Sequence, residues 1–367
     1  MRVYMMGFRG FPGVQGGIET HCMELSTRLV KLGCEVIAFS RPPYANADVT
    51  EFQGVRIVPI RSPQAASLEL IGHTWSCLNY VRRHEPGIVH LHGIGASLFT
   101  GYARRLAPGT VVTIHSISYL QDKWGRLAKA ALRRGEAEAA RHADELIAVS
   151  PLIQSRHPRA SLIPNGVSPL FFDHQRAHWR QKPYVLAVGR INADKGIPEL
   201  LQAWQMLPED VRCHFDLVVV GSPAPQDAAA QQLVEHASQD PTVHFVGSQP
   251  LEEVSSLMTG AALFVHPSHY EGHPISVVEA LAAGVNVLTS DIPEIMALDS
   301  PTIRTFPVRN VEALRDGILQ GLRHPLSEKV REQEVERMAS LYDWNALAAR
   351  TLEVYRSALA KNSRSRG

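Results

Sequence analysis

His266-Pro267-Ser268-His269-Tyr270-Glu271-Gly272-His273-Pro274-Ile275-Ser276-Val277-Val278-Glu279-Ala280-Leu281-Ala282-Ala283-Gly284 is the stretch on which the reading of this chain turns. Leu263-Phe264-Val265 runs into it like the end of a buried strand. Glu271 to Pro274 then reads as a turn, and Ile275 to Ala283 as a helix. Pro274 suits the first helical position, where a missing amide proton costs nothing, and Gly284 suits the stop. Glu271 thus precedes the helix and Glu279 lies inside it. Between them are the free N–H groups of a helix start, which favour an anion such as a phosphate. Carboxylates beside an anion site suit a ligand carrying both hydroxyls and phosphates, as a nucleotide-sugar does.

Outward from this stretch, strands and helices alternate along the whole chain, the pattern of parallel α/β sheets. Strands are expected near 2–7, 35–40, 55–60, 88–92, 110–115, 145–149 and 160–163, then near 183–188, 215–220, 243–246, 262–265 and 285–289. Runs such as Leu217-Val218-Val219-Val220 are apolar throughout, which means burial on both faces. The pattern breaks at 165–183, where turn formers and histidines follow no period, and a linker is expected there. The fold class is therefore α/β, with two doubly wound Rossmann-like domains and ligands at the carboxyl ends of the strands.

A chain of 367 residues is too long for one ordinary core, which agrees with two domains. A net charge of +1 calls for no nucleic acid partner. Cys22, Cys34, Cys77 and Cys213 are scattered without metal or redox spacing, and buried reduced thiols in a cytoplasmic protein are expected. The chain opens on the strand Arg2 to Met6 without a signal-peptide pattern, and no apolar run nears the ~20 residues of a membrane helix.

Further site candidates follow the strand ends. The loop Gly7 to Thr20 is glycine-rich, and Gly16-Gly17 at a helix start lets a ligand approach the backbone. It lacks the G-x-G-x-x-G fingerprint of dinucleotide binding. His92 and His115 each end a strand. The strand Tyr184 to Val188 leads into Gly189-Arg190-Ile191-Asn192-Ala193-Asp194-Lys195-Gly196, which sets two cations beside a helix start. Arg190 offers a planar donor fork and Lys195 a point charge, a pair able to neutralise a diphosphate leaving group. Gly247, after Val243-His244-Phe245-Val246, and Gly221 end two more strands. Asp122 to His142 reads as an amphipathic helix, with Trp124, Leu127, Ala128, Ala131 and Leu132 on one face and basic residues around the rest. A solvated helix packing that stripe on the sheet is preferred to a membrane-contacting one. No D-x-D occurs, and the 17 histidines form no H-E-x-x-H or comparable set, so no metal and no cofactor is expected.

Four elements, in order, resemble glycosyltransferase family 4: the loop with Pro12, Gly13, Gly16, Gly17 and Glu19; the strand-end His115; G-R-x4-K-G at Gly189 to Gly196; and E-x7-E from Glu271 to Glu279. The resemblance implies a retaining enzyme of GT-B fold, of the bacterial surface-polysaccharide type. Its two domains would face a cleft: an acceptor-side domain, 1–168, and a donor-side domain, 169–343. A C-terminal helix, 344–360, would cross back to the first domain. It implies donor contacts from Gly16, Gly17, Arg190, Lys195, Gly247, Glu271, Gly272, Ile275, Ser276 and Glu279, and catalytic roles for His115, Glu271, Arg190 and Lys195. His92 and Glu19 fall on the acceptor side. The implied partners are a UDP- or GDP-sugar and a glycan or lipid-linked acceptor, with peripheral contact at the inner membrane face and no metal. Two alternatives stay open: a GT-B sugar-nucleotide epimerase, and a silent partner subunit that binds a nucleotide-sugar.

Overall fold

The computed structural model describes residues 1–14, 16–42, 44–61, 69–117, 119, 125–172, 182–224, 226–271 and 274–366, the side chains of 363–366 excepted. The chain forms two compact units, one of Met1–Gly166 with Trp344–Gly367 and one of Val167–Asp343. In the first unit, strands β1 (Arg2–Met6), β2 (Glu35–Ser40), β3 (Glu51–Phe52), β4 (Val55–Pro59), β5 (Ile88–His92), β6 (Thr110–Ile114), β7 (Glu145–Ala148) and β8 (Ser161–Leu162) make one sheet. Its order is β3-β4-β2-β1-β5-β6-β7-β8, parallel except for β3 on β4. In the second unit, β9 (Tyr184–Val188), β10 (Asp216–Val220), β11 (Val243–Gly247), β12 (Leu263–His266), β13 (Val287–Ser290) and β14 (Ile303–Phe306) make an all-parallel sheet in the order β11-β10-β9-β12-β13-β14.

Both faces of each sheet are covered, which is why the central strands are apolar throughout. On β1, Val3 and Met5 pack with Leu25 and Leu29 of the helix Gly17–Lys31, while Tyr4 and Met6 pack with Cys77 and Leu78 of the helix Glu69–Val81. On β9, Val185 and Ala187 face one core, Tyr184 and Leu186 the other. Each large side chain so buried contributes about 1.5–3 kcal/mol over leaving it in water.

The helix Trp344–Arg366 belongs to the first unit and gives Trp344, Leu347, Tyr355 and Ala358 to its core. The change of unit falls at Gly166–Val167, just ahead of 168, because Val167 already pairs with Asp343 and donates its N–H to the Tyr342 carbonyl at 2.9 Å. Part of the linker stretch 165–183 lies outside the described residues.

Four details depart from the sequence reading. β3 and β14 are edge strands, one of two residues and one with only Phe306 fully buried, so neither makes an apolar run. The amphipathic helix is described from Arg126 to His142, and Trp124 lies outside the described residues. Its inward face is Leu132, Gly135, Glu136 and Ala139, while Leu127 is 90% exposed. Gly135 sets that rotation: a Cβ there would stand 1.9 Å from the Ile94 carbonyl oxygen. Finally, Cys213 is exposed, unlike Cys22, Cys34 and Cys77. Among the described residues no helix is long and apolar enough to cross a membrane.

Candidate functional site

In the second sheet the chain order reverses between β9 and β12, and ligands of open α/β sheets bind where it does. The loop after β9 carries Arg190, which is exposed, and the short turn Ala193–Lys195. Asn192 caps that turn, its Oδ1 accepting the Lys195 N–H at 3.1 Å. Gly196 follows with φ 65°, and a Cβ on it would meet the Pro267 carbonyl oxygen at 2.1 Å. No other residue lets the loops after β9 and β12 lie so close. Two further bonds join them: the His269 N–H to the Asp194 carbonyl at 2.9 Å and Ser268 Oγ to the same oxygen at 3.3 Å.

Glu271 stands at this junction. Its Oε1 is ion-paired with Lys195 Nζ and accepts from His266 Nε2 at 2.8 Å. With that proton on Nε2, His266 Nδ1 is left to accept from Ser276 Oγ, 3.4 Å away. Burial pushes the Glu271 carboxyl upward, but Lys195 and His266 together outweigh it and hold the group at about 2. Glu279 has the opposite fate, since burial alone raises it to about 8. Near neutrality the first is a carboxylate and the second a carboxylic acid.

Ile275 and Ser276 open the helix Ile275–Ala282, so Pro274 is its cap and not its first residue. The N–H of Gly284 returns to Leu281 and that of Val285 to Ala280, closing the helix end. Gly272 lies outside the described residues. Gly189, Gly221 and Gly247 line up at the ends of β9, β10 and β11, linked by Gly189 N–H to Val220 at 3.0 Å and Gly221 N–H to Gly247 at 2.8 Å. Ser222 and Ser248 hydroxyls meet just beyond, at 3.1 Å.

In the first unit Gly16 precedes the helix Gly17–Lys31. Buried Glu19 accepts from the Arg9 N–H at 3.1 Å, from its Nε at 3.0 Å and from its Nη2 at 3.3 Å, so this carboxylate braces the glycine loop. His92 ends β5 and His115 directly follows the neighbouring β6, with His92 Nδ1 and His115 Nε2 3.1 Å apart. His21, one turn into the helix, joins them, its Nδ1 bonded to Asn165 Oδ1 at 2.7 Å. Burial lowers His21 to about 4 against the pull of Asn165, and lowers His92 well below the usual range with the help of neighbouring histidines.

The sequence reading passed over His266 and His21. His266 ends β12 and His115 directly follows β6, so the strand-end rule would have found it. His21 carries no such signal, and no local spacing shows that positions 21, 92 and 115 share one place.

Residues 15–171 match the family description "Glycosyltransferase Family 4" and residues 171–337 match "Glycosyl transferases group 1". The chain belongs to glycosyltransferase family 4. This family 4 glycosyltransferase is 28% identical over 173 residues to O-antigen chain mannosyltransferase B of Escherichia coli, a match taking 47% of this chain and 45% of that protein. It thus spans under half the length of that relative. It is 26% identical to the glycogen synthase of Mycobacterium tuberculosis over 98% of this chain and 95% of the other. With the alpha-maltose-1-phosphate synthase of Mycolicibacterium smegmatis it shares 28% identity over 98% and 100%. Among solved structures, sucrose-phosphate synthase from Thermosynechococcus elongatus superposes with a TM-score of 0.82 at 23% identity, over 98% of this chain and 99% of that one. HepE of Anabaena, solved in complex with UDP and glucose, gives 0.75 at 16%, over 97% and 100%. The family 4 chain thus has the GT-B fold.

Proposed function

We propose that the protein is a retaining hexosyltransferase that moves a sugar from a UDP- or GDP-sugar to an acceptor hydroxyl, without a metal, in surface-polysaccharide or lipid-linked glycan assembly. The observation that carries this is the meeting of Lys195 and Glu271 where the second sheet reverses its order. The complexes of HepE with UDP and with UDP-glucose support a donor of this class.

Lys195 and Arg190 take the diphosphate and offset its charge as the leaving group departs, the work a cation does elsewhere. The first-turn N–H groups at Ile275 and Ser276 add to it. Glu271, ionised and steadied by His266, accepts from the hydroxyls of the donor sugar. Glu279 stays protonated and so both donates to and accepts from the ribose diol. Gly247 lies beside the base. From the first unit we assign His115 to charge stabilisation near the reacting sugar, Gly16 and Gly17 to close approach of the ligand, and His92 and Glu19 to the acceptor side. Glu271 is not assigned as a covalent nucleophile. A lipid-linked acceptor is met at a membrane surface, and the exposed Leu127, Arg126 and Arg134 of one helix are the residues proposed to rest there.

The test pairs binding with turnover. A nucleoside diphosphate of the right base, at ~100 times its dissociation constant, stabilises the protein by about 2.7 kcal/mol, with EDTA present or absent. Lys195→Ala and Glu271→Ala should each lose about 100-fold or more in transfer while melting cooperatively. Full activity in both variants, or stabilisation that vanishes with EDTA, overturns the proposal.

A further inference from the structure

Four histidines meet at the carboxyl ends of the first sheet, and they divide into two kinds. His90 is fully satisfied: its Nδ1 meets Tyr355 Oη at 2.7 Å and its Nε2 meets Thr113 Oγ1 at 2.7 Å. His21 and His92 are buried too, yet His21 Nε2 and His92 Nε2 have no hydrogen-bond partner among the described residues. A buried ring nitrogen left unmet is costly, so two together call for an explanation. The bond from His21 Nδ1 to the Asn165 carbonyl oxygen, at 2.7 Å, puts the proton on Nδ1 and leaves a bare lone pair on Nε2. Metal-ligating histidines are oriented in this manner, with the second nitrogen donating to a carbonyl or carboxylate.

The spacing of the rings agrees. His21, His92 and His115 each present a ring nitrogen within 4.8 Å of the other two. Their ring centres lie 5.5 Å (His21 to His92), 4.7 Å (His21 to His115) and 5.4 Å (His92 to His115) apart. A tetrahedral ion holds imidazole nitrogens at about 2.0–2.1 Å, with ring centres about 1.1 Å further out, so two such centres stand roughly 5.2 Å apart. The observed separations bracket that value, and a tilt of the rings brings the nitrogens inward.

We propose that His21, His92 and His115 form a divalent-metal site that ties the start of the helix Gly17–Lys31 to the ends of β5 and β6. Three imidazoles with no carboxylate or thiol in the set select zinc, cobalt, nickel or copper over magnesium or calcium. Three protein ligands leave a fourth position for solvent. The set contains neither Arg190 nor Lys195; a bound ion would act in the places assigned to the His92 and His115 rings, and the site stands whether or not transfer needs a metal.

The test is a titration of the metal-stripped full chain with Co2+, followed by visible absorption and then by competition with Zn2+. One Co2+ per chain with the strong absorption of a four-coordinate site is expected, together with a raised melting temperature and no response to Mg2+. Cys213→Ser removes the exposed thiol and should leave the signal intact. His21→Gln and His92→Gln should abolish it in protein whose circular dichroism is unchanged, and Asn165→Ala should weaken binding about 10- to 100-fold. Absence of the absorption in the native chain overturns the proposal without any variant. Its persistence in folded His21→Gln, or its loss in Cys213→Ser, does the same.

Discussion

At the scale of residues, the two carboxyl groups of the Glu271–Glu279 segment carry opposite pH signatures. Glu271, held at about 2, adds stability that is present above its unfolded value of about 4.5 and lost as the pH falls toward 2. Glu279, raised to about 8, keeps its proton in the folded state where the unfolded chain has released it. Its contribution therefore turns against folding as the pH climbs from about 4.5 to 8, by about 1.4 kcal/mol per pH unit. Chemical denaturation of wild type and Glu279→Gln from pH 5 to 8 should show the variant losing less stability with rising pH. The difference between the curves cancels the buried histidines, and parallel curves would mean that Glu279 is ionised in the fold. Lys195 and Glu271 were expected from their types and their places beside a helix start, and Ser276 from the family resemblance alone. His266 was passed over although it ends its strand, and His21 carries no such signal: only the folded chain brings it to His92 and His115.

Among the elements, the loops after β9 and β12 depend on a residue with no side chain. Gly196 needs a left-handed backbone and also tolerates a carbonyl oxygen where a Cβ would stand. Gly33 needs only the first, since a Cβ there meets nothing within 4 Å. Gly196→Ala should thus cost more than Gly33→Ala, by about 2 kcal/mol or more against about 1 kcal/mol. Differential scanning calorimetry of both variants checks it, and equal losses would mean that the two loops separate freely. Gly196→Ala should also lower transfer, because the Lys195 loop moves off Glu271. The strands of the sheet centres were legible from the same physics: burial on both faces demands unbroken apolar runs, and β1, β9, β10 and β12 have them. β14 was missed because an edge strand needs only one buried face. Leu127 was misplaced because helical spacing groups residues without saying which face turns inward.

At the scale of the molecule, the last helix is part of the first unit's core. A chain ending at Gly166 lacks Trp344, Leu347, Tyr355 and Ala358, and with them the Tyr355 hydroxyl that His90 meets. Residues 1–166 alone should therefore show no cooperative melting, whereas 167–343 alone should melt as a folded unit; circular dichroism of the two fragments decides. A folded 1–166 would make the helix an accessory. The α/β class and parallel sheets were legible because alternation runs the length of the chain. The point of crossing, expected after 168, is set by single contacts at Gly166 and Val167. At that point Val167 pairs with Asp343, and Gly166 lies so near Trp344 that a Cβ would come within 2.5 Å of the indole. The outgoing and returning strands of chain thus share one seam, which makes the second unit a cassette inserted into an otherwise closed first one. Two cuts at neighbouring points release it whole. A recombination event, natural or engineered, can then exchange one half of such an enzyme and leave the ends of the other still meeting.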